Sequence, residues 1–266
     1  MAQALKKAEA TLKDGKHKGW KKADVAGVIR LITAGSIDAA TGNSVEFYAR
    51  DEQGRQVYGA THGFAPWSLE EFEALGWQSY GLKTIPEDRV RAMLTGSYKK
   101  TPVITLEQLR NPETTPPKKY ITYAATEEMN IPPARELYTL EQLSTEDTLL
   151  IRSGGFQPRE AILKHLKAKG ITRVYNWHRI EETKEQNPQG RFVHACSDDY
   201  IVGGDGIDDD GRFVLVAPEA QEASSQSRLA LNSAELADFL KEQNPLLDRA
   251  ALEQQIKAYS QKIGGR

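Results

Sequence analysis

Cysteine is all but missing from this 266-residue chain, with Cys196 the only one. One thiol cannot build an internal disulfide framework, and it fits a reducing compartment, so a cytoplasmic protein is expected. It also cannot furnish the tight C-x-x-C and H-x-x-x-H pairs that a structural zinc site draws its four ligands from. The five histidines, at 17, 62, 165, 178 and 194, are scattered, so no metal and no other cofactor is implied. No apolar run approaches the roughly 20 residues of a membrane span, and the lysine-rich start has no apolar stretch behind it, so it does not read as a secretory signal.

Several catalytic signatures are missing as well. There is no G-x-G-x-x-G, no Walker pattern and no G-x-S-x-G elbow. A thiolate enzyme that cradles phosphate needs an arginine six residues after its cysteine. Here Cys196 is followed by Ser-Asp-Asp-Tyr-Ile-Val, whose aspartates repel thiolate and phosphate alike. The run Asp205-Gly-Ile-Asp-Asp-Asp-Gly211 resembles half a calcium loop, but the frame that places its glycine puts Ala217 where the bidentate glutamate belongs. It reads as an acidic turn.

What is present is an ordinary globular composition, 39% hydrophobic and 27% charged, long enough to bury a core without staples. The net charge of −2 is unevenly spread. Residues 1–22 hold seven lysines against Glu9 and Asp14, a local balance of +5, so the remainder sums to −7. A basic arm on an acidic body points to an anionic partner.

Three segments share one pattern: Trp67-Ser-Leu-Glu-Glu-Phe72, Ile104-Thr-Leu-Glu-Gln-Leu109 and Tyr138-Thr-Leu-Glu-Gln-Leu143. In each, a hydroxyl and an acid or amide three residues later form a capping box, which satisfies two orphan backbone donors at a helix start. The clearest hairpin pairs 44–50 with 55–59 around Asp51-Glu-Gln-Gly54. Helices are expected over 3–13, 23–33, 68–75, 86–94, 158–169, 233–242 and 248–263, and strands over 101–105, 118–124, 148–152 and 171–177. A second hairpin would join 200–202 to 212–216. The fold class is therefore α+β: a mixed, mostly antiparallel sheet with short capped helices, then a smaller α/β region and C-terminal helices. The expected division is 1–43 as a basic arm and helix, 44–150 as a β-rich region of repeated strand–capped-helix–strand units, and 151–266 as the α/β region.

The functional reading that follows is a non-enzymatic protein binding nucleic acid, single-stranded and with little sequence preference. Lys6, Lys7, Lys16, Lys18, Lys21 and Lys22 would contact phosphates, where each contact releases counterions. Trp20, Tyr48 and Tyr58 would stack on bases, assisted by Arg50 and Arg55, as single-strand binders use ring-bearing sheet faces. The run Lys118-Lys-Tyr-Ile-Thr-Tyr123 repeats this basic–aromatic mixture. Two other functions compete. In one, an enzyme acts on a phosphorylated or nucleotide substrate held by an anion cradle of Arg152, Ser153, Gly154 and Gly155, with His178 or His194 as acid or base. In the other, the repeated units form a docking face for another protein.

Overall fold

In the computed structural model, residues 2–74, 82–133, 137–175, 178–184, 188–196, 202–205 and 212–217 are described. The chain divides into two units, 1–216 and 217–266, and the sheet and every named element belong to the first. The expected helices at 233–242 and 248–263, and most of the acidic 205–211 turn, lie outside the described residues.

The elements run α1 (Ala2–Lys13), β1 (Lys21–Lys22), α2 (Val25–Thr33), β2 (Ala39–Arg50), β3 (Gln56–His62), α3 (Leu69–Ala74) and β4 (Lys83–Thr84). They continue through α4 (Glu87–Leu94), β5 (Val103–Ile104), α5 (Leu106–Arg110), β6 (Tyr120–Ala125), β7 (Leu137–Thr139), α6 (Leu140–Ser144), α7 (Asp147–Ser153) and α8 (Phe156–Ala168). The last are β8 (Arg173–Tyr175), β9 (Gln189–Cys196), β10 (Val202–Asp205) and β11 (Leu215–Val216).

One mixed, mostly antiparallel sheet organises them, in the order β10-β9-β2-β3-β6-β5, with β4 also on β9. This is an α+β architecture. The expected hairpin is its centre. Tyr48 lies opposite Tyr58, and Asp51 accepts the Gln53 and Arg55 backbone amides at 3.0 and 2.9 Å while Gly54 supplies φ +76°.

Both faces of the sheet are covered. Val45, Phe47, Ala49, Val57, Ile121 and Phe192 on one face pack with Leu5 of α1 and Val90 and Met93 of α4. Tyr48, Tyr58, Ala60, Tyr120 and Ala124 on the other face pack with Leu106 and Leu109 of α5 and Leu150 and Ile151 of α7. Farther along, Ala40, Val193 and Ala195 meet α2 and α8. A strand buried on both faces reads as near-continuous apolar sequence, and here the aromatic residues serve that role.

The structure departs from the sequence reading in four places. Residues 147–153 are a helix, not a strand: Leu149-Leu-Ile is apolar on every side, so periodicity cannot separate a buried strand from a buried helix. The caps decide it, with Glu146 accepting the Thr148 and Leu149 amides and Gly154 turning left-handed at φ +88°. Among the described residues the expected second hairpin is not seen: β10 pairs with β9 and β11 with β1. The sheet also crosses the boundary expected near 150, because β9 lies directly beside β2. All three capping boxes are present, at Ser68, Thr105 and Thr139. Their flanking strands nevertheless pair differently, β4 with β9, β5 in parallel with β6 and β8 with β7, so no stacked repeat results.

Candidate functional site

The hairpin rings assigned to base stacking lie in the interior. Tyr48 is 2% and Tyr58 0% exposed, because α5 and α7 cover the face expected to be wet. Their hydroxyls serve a buried ionic knot. One Glu46 oxygen, Oε2, accepts the Tyr58 hydroxyl at 2.9 Å and Arg152 Nε at 2.6 Å, and the other, Oε1, accepts the Tyr48 hydroxyl at 3.1 Å and Arg191 Nε. Register explains the meeting: Glu46 faces Arg191 across β2 and β9, and α7 lays Arg152 over the same spot. Burial pushes the Glu46 carboxyl up, but the two guanidinium groups outweigh it and hold the carboxyl at about 2.

The anion cradle is likewise overturned. Arg152 is 0% exposed and its guanidinium is committed to Glu46 and, at 2.8 Å, Tyr58. The buried Ser153 hydroxyl donates to the Leu150 or Gly155 carbonyl. Gly154 and Gly155, at φ +88° and +118°, make the corner between α7 and α8, where Gly154 accepts the Tyr120 hydroxyl at 2.7 Å. A Cβ on Gly154 would meet that hydroxyl at 2.9 Å. The glycines admit the neighbouring strand rather than a phosphate.

Arg50 and Arg55 stay at the surface but are engaged. Arg50 donates to the Gly54 carbonyl at 2.7 Å and to the Lys184 carbonyl. Arg55 binds Asp51 and Glu128, both at 2.8 Å, with Glu127 at 3.7 Å. Both arginines sit at the hairpin end of the sheet, among carboxylates.

The arm is an ordered helix rather than a frayed tail. Leu5 and Ala8 bury one face of α1, at 2% and 6% exposure, which turns Lys6, Lys7 and Lys13 outward. Lys16, Lys18 and Lys21 are exposed too. Lys22 is half-buried, pairs with Glu9 at 3.3 Å and lies over the Phe213 ring. Trp20 is half-buried and meets the His17 ring edge-on at 4.9 Å. Among the described residues, Lys7, Lys13, Lys16, Lys18 and Lys21 have no ion-pair partner.

The far end of the sheet from the hairpin turn gathers further lysines. Asn43 bonds Ala23, next to Lys22, through its backbone N–H at 2.7 Å, and bonds the Gly63 carbonyl through its side chain at 3.3 Å. Gly63, at φ +76°, lies so close to the Lys118 carbonyl that a Cβ there would stand 2.1 Å away. Only glycine allows both the turn and the approach. Beyond it the parallel β5–β6 register, Val103 to Ile121, with Ile121 N–H on the Pro102 carbonyl at 2.9 Å, places Lys99 and Lys100 at the same end of the sheet as Lys118 and Lys119. The sequence shows these only as two separate Lys-Lys pairs.

At the hairpin end a cleft of about 730 Å3 is lined by Gln56, Met129, Ile131, Pro132, His178 and Glu181 among others. His178 is 2% exposed and held neutral by burial, with the nearby Arg152 adding to the effect. Its Nε2 lies 2.8 Å from the Pro132 carbonyl and so carries the proton. His194 is half-buried on β9 and held neutral by burial; it is not among the cleft-lining residues. Among the described residues, no group of three His, Cys, Asp or Glu could hold a metal ion. No helix among them is long and apolar enough to cross a membrane.

No protein-family model and no curated protein matches the chain. Among solved structures it is similar to a protein described by the words "Accommodation of massive sequence variation in Nanoarchaeota by the C-type lectin fold". The two share 15% identity at a TM-score of 0.54, over 81% of this chain and 90% of the other. The likeness is one of fold.

Proposed function

We propose that the chain is a non-catalytic cytoplasmic protein that binds nucleic acid through its phosphates, without reading sequence. The observation that carries this reading is the row of outward lysines on residues 2–22, five of them without an ion-pair partner among the described residues, with Lys7 and Lys13 carried on α1, whose opposite face is docked. Unpaired cations on an ordered backbone suit phosphate contact because each contact releases condensed counterions. With Tyr48 and Tyr58 in the core, stacking is left to Trp20, and phosphate contact carries the interaction. The fold does not select the partner. A scaffold whose structural neighbour is described as accommodating massive sequence variation leaves function to its surface residues.

The test is fluorescence anisotropy of a labelled 20-nucleotide strand titrated with the full chain at 25 to 300 mM salt. Five phosphate contacts from the arm, at about −0.7 each, make the log–log slope at least as steep as roughly −3.5 on a single strand. A slope near zero, or no binding at the lowest salt, would overturn the reading.

A further inference from the structure

We infer that the nucleic-acid path runs beyond the arm onto a second basic cluster, Lys99, Lys100, Lys118 and Lys119, which the parallel β5–β6 pair assembles at the same end of the sheet. This rests on the reading just proposed and names the rest of its surface.

Three observations carry it. The first is register, which puts two Lys-Lys pairs distant in sequence at the same end of the β5–β6 pair. All four lysines are exposed, and among the described residues none has an ion-pair partner. Four cations gathered without counter-charge repel one another, so the cluster favours an anion that spans them.

The second is continuity. Lys21 and Lys22 connect through Ala23, Asn43 and Gly63 to Lys118 by direct contacts. From β2 to β5 are three strand spacings, about 15 Å at close to 4.8 Å each. That length is short enough for one strand of the 20-nucleotide probe to touch the arm and the cluster at once.

The third is backbone conformation. Lys99 and Lys100 take φ +47° and +55°, the only non-glycine positive φ values among the described residues. For an L-residue this region costs about 1–2 kcal/mol, and glycine is its usual occupant. Two adjacent lysines where glycine fits better put the charge at odds with local stability. Such strain concentrates where a surface is used. The Phe64 and Tyr98 rings, stacked at 5.8 Å, brace the turn from beneath, with Lys99 Nζ 5.3 Å from the Tyr98 ring centre.

An acidic protein could also answer to positive charge. Unpaired lysines spread from the arm to the cluster favour a long polyanion over a single acidic side chain, so nucleic acid is the partner argued.

The experiment uses the full chain and two variants against the labelled strand across the salt series. The cluster variant is Lys99→Gly, Lys100→Gly, Lys118→Gln, Lys119→Gln, and the arm variant is Lys7→Gln, Lys13→Gln, Lys16→Gln, Lys18→Gln, Lys21→Gln. If the proposal holds, the cluster variant binds at least tenfold more weakly at 50 mM salt, and its slope is shallower by about 3, four contacts at about 0.7 each. Its melting temperature is unchanged or raised, since the two glycines relieve left-handed lysines. If only the arm variant weakens, the cluster is not on the path, while the proposed function stands. If the wild-type chain does not bind the strand, the function falls and the path with it. If polyglutamate competes as well as the strand on a per-charge basis, the nucleic-acid assignment is overturned in favour of an acidic protein. Should the fourfold variant not fold, Lys118→Gln with Lys119→Gln alone is expected to reduce the slope by about 1.4, two contacts' worth; an unchanged slope would reject the cluster.

Discussion

Two groups of cations in this molecule have opposite fates. Arg152 and Arg191 lie inside, locked onto Glu46 with the Tyr48 and Tyr58 hydroxyls closing the knot. Lys99, Lys100, Lys118 and Lys119 lie outside, gathered by register and unpaired among the described residues. A buried charge must be matched, or it costs several kcal/mol, whereas an exposed lysine is hydrated and stays available for a partner. The interior cations are therefore committed to the fold, and the exterior ones are the ones free to act.

The largest expected effect tests the interior side. Glu46→Gln keeps the shape but leaves two buried guanidinium groups facing a neutral amide, so it should destabilise the fold by about 3–5 kcal/mol. Lys118→Gln, at an exposed site, should stay within about 0.5 kcal/mol. Urea unfolding of the two variants side by side measures the contrast; equal midpoints would erase it.

Two further buried groups set up opposing pH dependences, each on the order of 3 kcal/mol or somewhat more. Burial pushes Glu146 up to about 7 despite the helix amides and Thr148 hydroxyl it accepts. Its contribution is present in full below its unfolded value of 4.5 and is lost as pH rises through about 7. Burial pushes His62 down to about 3, against a hydrogen bond to Ile151 that favours the charged ring. Its contribution is present above 6.5 and is lost as pH falls toward 3. Between pH 4.5 and 6.5 the two slopes oppose, and the wild-type curve should be shallow. Glu146→Gln should expose the acid loss from His62. His62→Phe, which keeps the ring stacked 4.5 Å from Tyr120, should instead leave stability rising toward acid. Parallel curves for both variants would show that the groups do not titrate as their burial implies.

The helix caps come next in size. Thr105→Ala and Thr139→Ala each remove one half of a reciprocal box and should cost about 1 kcal/mol. Thermal melts would show the two changes adding, because the sites share no partner.

How much of this was legible follows from the range of the interactions. Caps, hairpin turn and helix stops are decided within four residues of chain, and those expectations match the structure at Thr105, Thr139 and Gly54. Which face of a strand is wet is decided by what packs on it. Tyr48 and Arg50 alternate as the pattern requires, yet α5 and α7 arrive from 50 to 100 residues away and bury the ring. The same holds for Arg152: its sequence neighbours suggest an anion cradle, and only the register of β2 against β9 reveals Glu46 and Arg191 waiting for it. Lys99 and Lys118 could not be linked from sequence, since a two-residue parallel pairing leaves almost no pattern.

The smallest expected effect sharpens the comparison at the surface itself. Arg55 is as cationic as any lysine of the cluster, and the sequence places it in the interface, yet it sits at the hairpin end beside Asp51, Glu127 and Glu128. Strand β3 separates it from Gly63 by on the order of 20 Å, at about 3.3 Å per residue. A solvent-exposed network of this kind is worth less than about 1 kcal/mol. Arg55→Gln should therefore barely move the melting temperature and leave oligonucleotide affinity and salt slope where they were. Lys118→Gln, an equal loss of one charge, should make the slope shallower by about 0.7. Should Arg55→Gln weaken binding as much as Lys118→Gln, total charge rather than its placement would govern the interaction, and the distinction between the two ends of the sheet would carry no functional meaning.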